Sequence, residues 1–131
     1  EGKWAASVLG RGTSVLDADE DSRGGVWMLT RFREMTGVMR CTDITRGCDR
    51  MSSDEANLDR LAAGESNLWL AWEDSGLVRM PKTDSILQQE KMPEYGSKIR
   101  ASQEAPDGTV WAAGEKGAIF RGTVDAPATA R

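Results

Sequence analysis

Histidine is missing altogether from the 131 residues. Its absence removes Ser-His-Asp and Cys-His activation of a nucleophile, together with every zinc site that needs an imidazole. Cysteine is limited to two residues, too few for a zinc cluster without histidine. No apolar run approaches the ~20 residues of a spanning helix, so insertion into a membrane is not expected. Basic residues form no cluster. Lys and Arg number 17 against 21 acids, for a net charge of −4, so no footprint for a phosphate backbone exists and no nucleic-acid partner is expected. No phosphate loop, nucleophile elbow or dinucleotide fingerprint occurs. These gaps argue against an enzyme and imply no cofactor. The chain begins at Glu1 rather than Met, which reads as a processed or excised piece.

Tyrosine and phenylalanine are also rare, at one and two residues, whereas tryptophan occurs five times. Three of these, Trp27, Trp69 and Trp111, stand 42 residues apart. Each follows a β-branched residue or Leu, in Val26-Trp27-Met28-Leu29, Leu68-Trp69-Leu70-Ala71 and Val110-Trp111-Ala112-Ala113. Each is preceded by a turn: Ser22-Arg23-Gly24, Gly64-Glu65-Ser66 and Pro106-Asp107-Gly108. Each is followed by a Gly before an apolar pair: Gly37-Val38-Met39-Arg40, Gly76-Leu77-Val78-Arg79 and Gly117-Ala118-Ile119-Phe120-Arg121. Gly37, Gly76 and Gly117 therefore read as hairpin turns, where glycine supplies a positive φ. About twelve positions before each Trp lies another apolar start, at Val15-Leu16, Leu58 and Ile99.

The unit is a strand, a turn, the Trp strand, a hairpin, a third strand and a fourth. Four short strands in ~40–50 residues make one blade of a β-propeller. Apolar residues fall on both parities of the Trp strands, as expected where both faces of a blade are covered. The string Asp107-Gly108-Thr109-Val110-Trp111 through Gly117-Ala118-Ile119 resembles the short repeat of two-component-regulator propellers. The resemblance covers about residues 14–122. It implies an all-β chain of three four-stranded blades, with Trp27, Trp69 and Trp111 as buried anchors. Virginiamycin-B-lyase-like propellers have a similar repeat, but that family uses a catalytic His and this chain has none. Sialidase Asp-boxes share Asp-Gly-Thr, yet the sialidase Arg triad and Tyr nucleophile find no place here.

The repeats run at about 14–55, 56–97 and 98–123. An N-terminal strand over 3–8 stands where a fourth strand is due for the last blade, and 124–131 reads as a linker-like tail. Together, 1–123 form one three-blade unit. Three blades do not close a ring, so the unit is half of a six-bladed ring formed by a homodimer, or a fragment of a larger propeller. The stretch from Ser52 to Gly64 also reads as a helix, with a Ser52/Glu55 capping box. The repeat frame places a strand from about Leu58, and that reading is preferred.

Cys41 and Cys48 lie at the end of a third strand and the start of a fourth, where cross-strand positions can meet the Cα spacing of a disulfide; two free thiols are the alternative. A disulfide fits a secreted or periplasmic protein. Asp17, Asp19 and Asp21 alternate like the opening of a calcium loop, but Ser22 stands where such a loop needs Gly and Met28 where it needs Glu. A solvated acidic turn is the better reading. Glu34, Glu73 and Glu115 precede the hairpins, while Arg40, Arg79 and Arg121 follow them. They read either as exposed ion pairs or as Arg/Glu/Trp pockets between blades, as in oligomeric fucose-binding propeller lectins. Trp4 and Trp72 fall outside the repeat positions and are candidate surface contacts. The expected function is non-catalytic recognition or assembly, binding a protein or small ligand on the propeller face or channel. A glycan-binding lectin is the alternative.

Overall fold

The computed structural model describes residues 3, 9–10, 12–43, 47–54, 58–72, 76–83, 87–89 and 98–123; of strand residues 43, 52–54, 72, 88 and 89 it describes the backbone alone. Residues 4–8 of the expected N-terminal strand and the tail 124–131, with Trp4 and Glu73, lie outside the described residues, as does the side chain of Trp72.

Where β-branched and aromatic residues cluster, strands form. The first sheet is an antiparallel meander of β1 (Thr13–Glu20), β2 (Val26–Phe32), β3 (Met35–Asp43) and β4 (Gly47–Asp54). The second has β5 (Leu58–Ala63), β6 (Asn67–Trp72), β7 (Gly76–Pro81) and β8 (Gln88–Gln89). The third has β9 (Ile99–Glu104), β10 (Thr109–Gly114) and β11 (Ile119–Thr123). Each sheet is one blade, and no helix is present among the described residues.

The turn before each Trp strand is built alike in the first and third blades. Asp21 N–H bonds Gly25 O and Gly24 N–H bonds Asp21 O; Ala105 with Thr109 and Gly108 with Ala105 repeat the pattern. Gly24 and Gly108 sit at φ 83° and 89°, a region closed to most side chains. In the second blade the turn is one residue shorter, with Gly64 N–H on Asn67 O. The hairpins after the Trp strands differ from the expectation at one place. Gly76 and Gly117 have positive φ, but Gly37 lies inside β3 opposite Thr30. The first hairpin turns at Arg33-Glu34, where Arg33 takes φ 57°, so β2 and β3 run longer than their counterparts.

The stretch with a helical capping signature becomes the end of β4 and all of β5. Leu58, Leu61 and Ala62 are buried on a strand that packs against both β1 and β9. That two-sided burial outweighs local helix propensity, whose total is small. The middle blade is enclosed on both faces. Trp27, Leu29 and Val38 of the first blade meet Leu58, Leu61, Leu68, Leu70, Val78 and Met80 on one side. On the other, Trp69 and Leu77 meet Val110, and Ala71 meets Ile99, Ala112 and Phe120. Hence Leu68-Trp69-Leu70-Ala71 is apolar without alternation.

Cys41 and Cys48 face each other across β3 and β4, with Cα atoms 4.3 Å apart, and are joined by a disulfide. The closed loop is short, so its loss removes about 2–3 kcal/mol of unfolding free energy. Urea unfolding with and without reductant checks this. Among the described side chains of the outer strand β4, half-buried Met51 is the one packed on the main core, so reduction should leave the far-UV β signature in place.

Candidate functional site

The first strands of the blades, β1, β5 and β9, lie side by side. Residues 18–20, 61–63 and 102–104 line an open, mostly polar concavity of about 440 Å³ between them. Acidic side chains of β1 hold its first wall in place. Asp17 Oδ2 accepts the Leu61 N–H and Asp19 Oδ2 the Ala63 N–H, both at 2.8 Å. These are amides on the edge of β5, which among the described residues has no strand partner on that side. An edge amide facing the interior is costly unless it is paired.

Asp21 closes the rim above. Its Oδ1 accepts the Arg23 and Gly25 amides at 2.9 and 3.0 Å. Its Oδ2 accepts the Trp27 indole N–H at 2.8 Å and the ammonium of Lys82, from the second blade, at 3.3 Å. Lys82 also donates to Glu65 O and lies 5.4 Å from the Trp27 ring centroid. Arg40 lies 5.6 Å from the centroid of that same ring. Burial pushes the Asp21 carboxyl up, but the Trp27 indole, the two amides and Lys82 together outweigh it. They hold the group well below the usual carboxylate range. Asp17, Asp19 and Asp21 are thus not a solvated turn: two cap amides of the next blade, and the third is buried among donors and a cation.

The second junction uses another acid for the same task. Glu104 at the end of β9 accepts the Trp69 indole N–H on Oε1 and the Glu65 amide on Oε2, each at 2.9 Å. Gly64 leaves room for that carboxylate, since a Cβ there would overlap it. Below it, Lys98 pairs with Asp59 at 3.4 Å and Arg60 donates to Arg100 O.

In all three blades the repeat Trp stands opposite an Arg: Trp27 and Arg40, Trp69 and Arg79, Trp111 and Arg121. Arg121 lies over the Trp111 ring at 5.8 Å, as Arg40 does over Trp27. The glutamates are elsewhere. Glu34 is exposed at its hairpin tip, and Glu115 pairs with Arg100 at 3.2 Å. Trp27 and Trp69 are each 2% exposed and offer no open ring face, whereas Trp111 is 45% exposed. Buried anchorage therefore holds for two of the three.

Solved structures share this fold. YCF48 bound to D1 peptide superposes with a TM-score of 0.69 at 15% identity, over 92% of this chain and 40% of that one. The fold is a β-propeller. YCF48 from Cyanidioschyzon merolae gives 0.64 at 11% identity, over 84% of this chain and 34% of the other. A catalytically inactive virginiamycin B lyase from Staphylococcus aureus, with quinupristin, gives 0.58 at 14%, over 93% and 45%. This propeller module spans less than half the length of each of these structures. No protein-family profile and no curated protein sequence matches it.

Lys82, Glu104 and Gln103 escape sequence reasoning. Lys82 and Glu104 act across a blade junction, so no spacing within a blade marks them. Gln103 lies exposed opposite Trp111, on the wall of the concavity, in a strand with little apolar signal.

Proposed function

We propose that the chain is a non-catalytic recognition and assembly module that binds a polypeptide segment along the concavity of β1, β5 and β9. The observation that carries this reading is the wall itself. Three neighbouring strands present small and polar residues, Ala18 and Glu20 from one and Ser102 and Gln103 from another, around an open depression. A site of that shape suits a chain segment, which supplies backbone donors and acceptors along its length. Asp19, Glu20 and Glu104 favour a segment carrying Lys or Arg. YCF48, with its D1 peptide, is a propeller of similar form that holds a peptide. The disulfide suits an oxidising compartment, outside the cytosol.

The test is a photo-crosslinking residue placed at Gln103, followed by mapping of the captured peptides from a library of Lys/Arg-containing segments. Crosslinks should fall on basic segments, and Ala18→Arg, which fills the depression with a like-charged side chain, should abolish them. Capture that is indifferent to Ala18→Arg would sink the assignment.

A further inference from the structure

The two ends of the blade stack are complementary. At the internal junction, Glu104 reaches back to the Trp69 indole from the last position of β9, opposite Val110, the residue before its blade's Trp. Glu20 occupies the same place in the first blade: last in β1, opposite Val26, the residue before Trp27. Its side chain is exposed. At the other end, Trp111 is the counterpart of Trp69, yet among the described residues no acceptor meets its indole N–H. Around it the free face of the third blade exposes Ile119, at 72%, and Arg121. The first blade in turn exposes Val15, Phe32 and Met35.

We propose that two copies of this chain close on each other head to tail, the Glu20 carboxylate of each accepting the Trp111 indole N–H of the other. The geometry repeats the contact made inside the chain by Glu104 and Trp69. An unrelated apolar partner accounts for the exposed Ile119 and Trp111 but not for an acid placed in matching register at the opposite end. Closure creates two identical junctions about a two-fold axis and covers both free faces. It shares Glu20 with the proposed polypeptide site, but it is read from oligomeric state with no peptide present, so either reading can fail without the other. One feature differs from the internal junction: Ala105 holds the turn position of Gly64, since each donates its N–H across the turn before the Trp strand. The incoming carboxylate must therefore pass a methyl group that Glu104 does not meet.

Sedimentation equilibrium on the 131-residue chain at micromolar concentration tests this. The parent should show twice the mass of one chain. Glu20→Ala and Trp111→Phe should each weaken the dimer about tenfold or more, because a charge-assisted hydrogen bond is lost at both junctions. Ala105→Gly should tighten it. A mixture of Glu20→Ala and Trp111→Phe should favour the mixed dimer, which keeps one intact junction. Because Glu20 is exposed, near-UV dichroism of Glu20→Ala should match the parent and separate association from folding. A monomer at every concentration, or a dimer that ignores both variants, overturns the proposal.

Discussion

Replacing Asp21 by Ala is expected to lower the unfolding free energy by about 3 kcal/mol. The side chain, 4% exposed, satisfies two turn amides, the Trp27 indole and the Lys82 ammonium together. Its removal leaves Lys82 largely buried beside an aromatic ring without its counter-ion, and the turn loses both amide acceptors. The cover is Lys82 and Trp27 at the rim, with solvent close by, so the cost falls at the lower end of the range for broken buried pairs. Asp21→Asn keeps the shape and one acceptor oxygen for the two turn amides, but it sets an NH2 donor against the Trp27 indole and the Lys82 ammonium, so it should recover little of the loss. Asp21→Ala with Lys82→Met should recover part of the loss, because the second change removes the stranded cation. Acid provides an independent readout. The folded carboxyl titrates below its unfolded value, so the unfolded chain binds the proton first. The contribution is complete above the ordinary Asp value of about 4 and declines as pH falls below it. Urea midpoints at pH 7 and through the acid range measure both effects. Equal midpoints for parent and Asp21→Ala at pH 7 would contradict the buried network.

The propeller architecture was legible because the blades repeat. Trp27, Trp69 and Trp111 mark β2, β6 and β10, and the turn residues before them mark the strand ends. Repetition was also what resolved Leu58–Ala63 as a strand against its own local helix signal. Repetition misled at Gly37, because the first hairpin is longer and its turn had moved to Arg33-Glu34. It failed at the junctions, where each acid differs. The indole of Trp27 is held by an Asp of its own blade, that of Trp69 by a Glu of the next, so neither is part of a repeating pattern. Asp17 and Asp19 read as a solvated acidic turn because a run of alternating carboxylates has the same sequence whether it faces water, a metal or the edge of a neighbouring strand. Only the placement of β5 beside β1 distinguishes these. The same limit applies to the concavity, whose walls come from strands about forty residues apart along the chain.

The three repeat tryptophans look equivalent in sequence, and the structure predicts that they are not. Trp69→Ala should cost about 3–5 kcal/mol, the range for deleting a buried aromatic, because the ring packs with Ala62, Leu77 and Val110 between the second and third blades. Trp69→Phe fills most of the space and should cost about 1–2 kcal/mol, chiefly through the Glu104 carboxylate left without its indole donor. Trp111→Ala in the single chain should cost less than about 1 kcal/mol, since nearly half of that ring is already in solvent. The ordering is the decisive quantity, because the substitution is chemically the same at both sites. Urea unfolding in dilute solution, where any association is suppressed, reads the folding cost alone. If Trp111→Ala proves as damaging there as Trp69→Ala, the third blade's outer face is covered within one chain. If the Trp111→Ala penalty appears only as protein concentration rises, the ring is sealed by the chain's second copy.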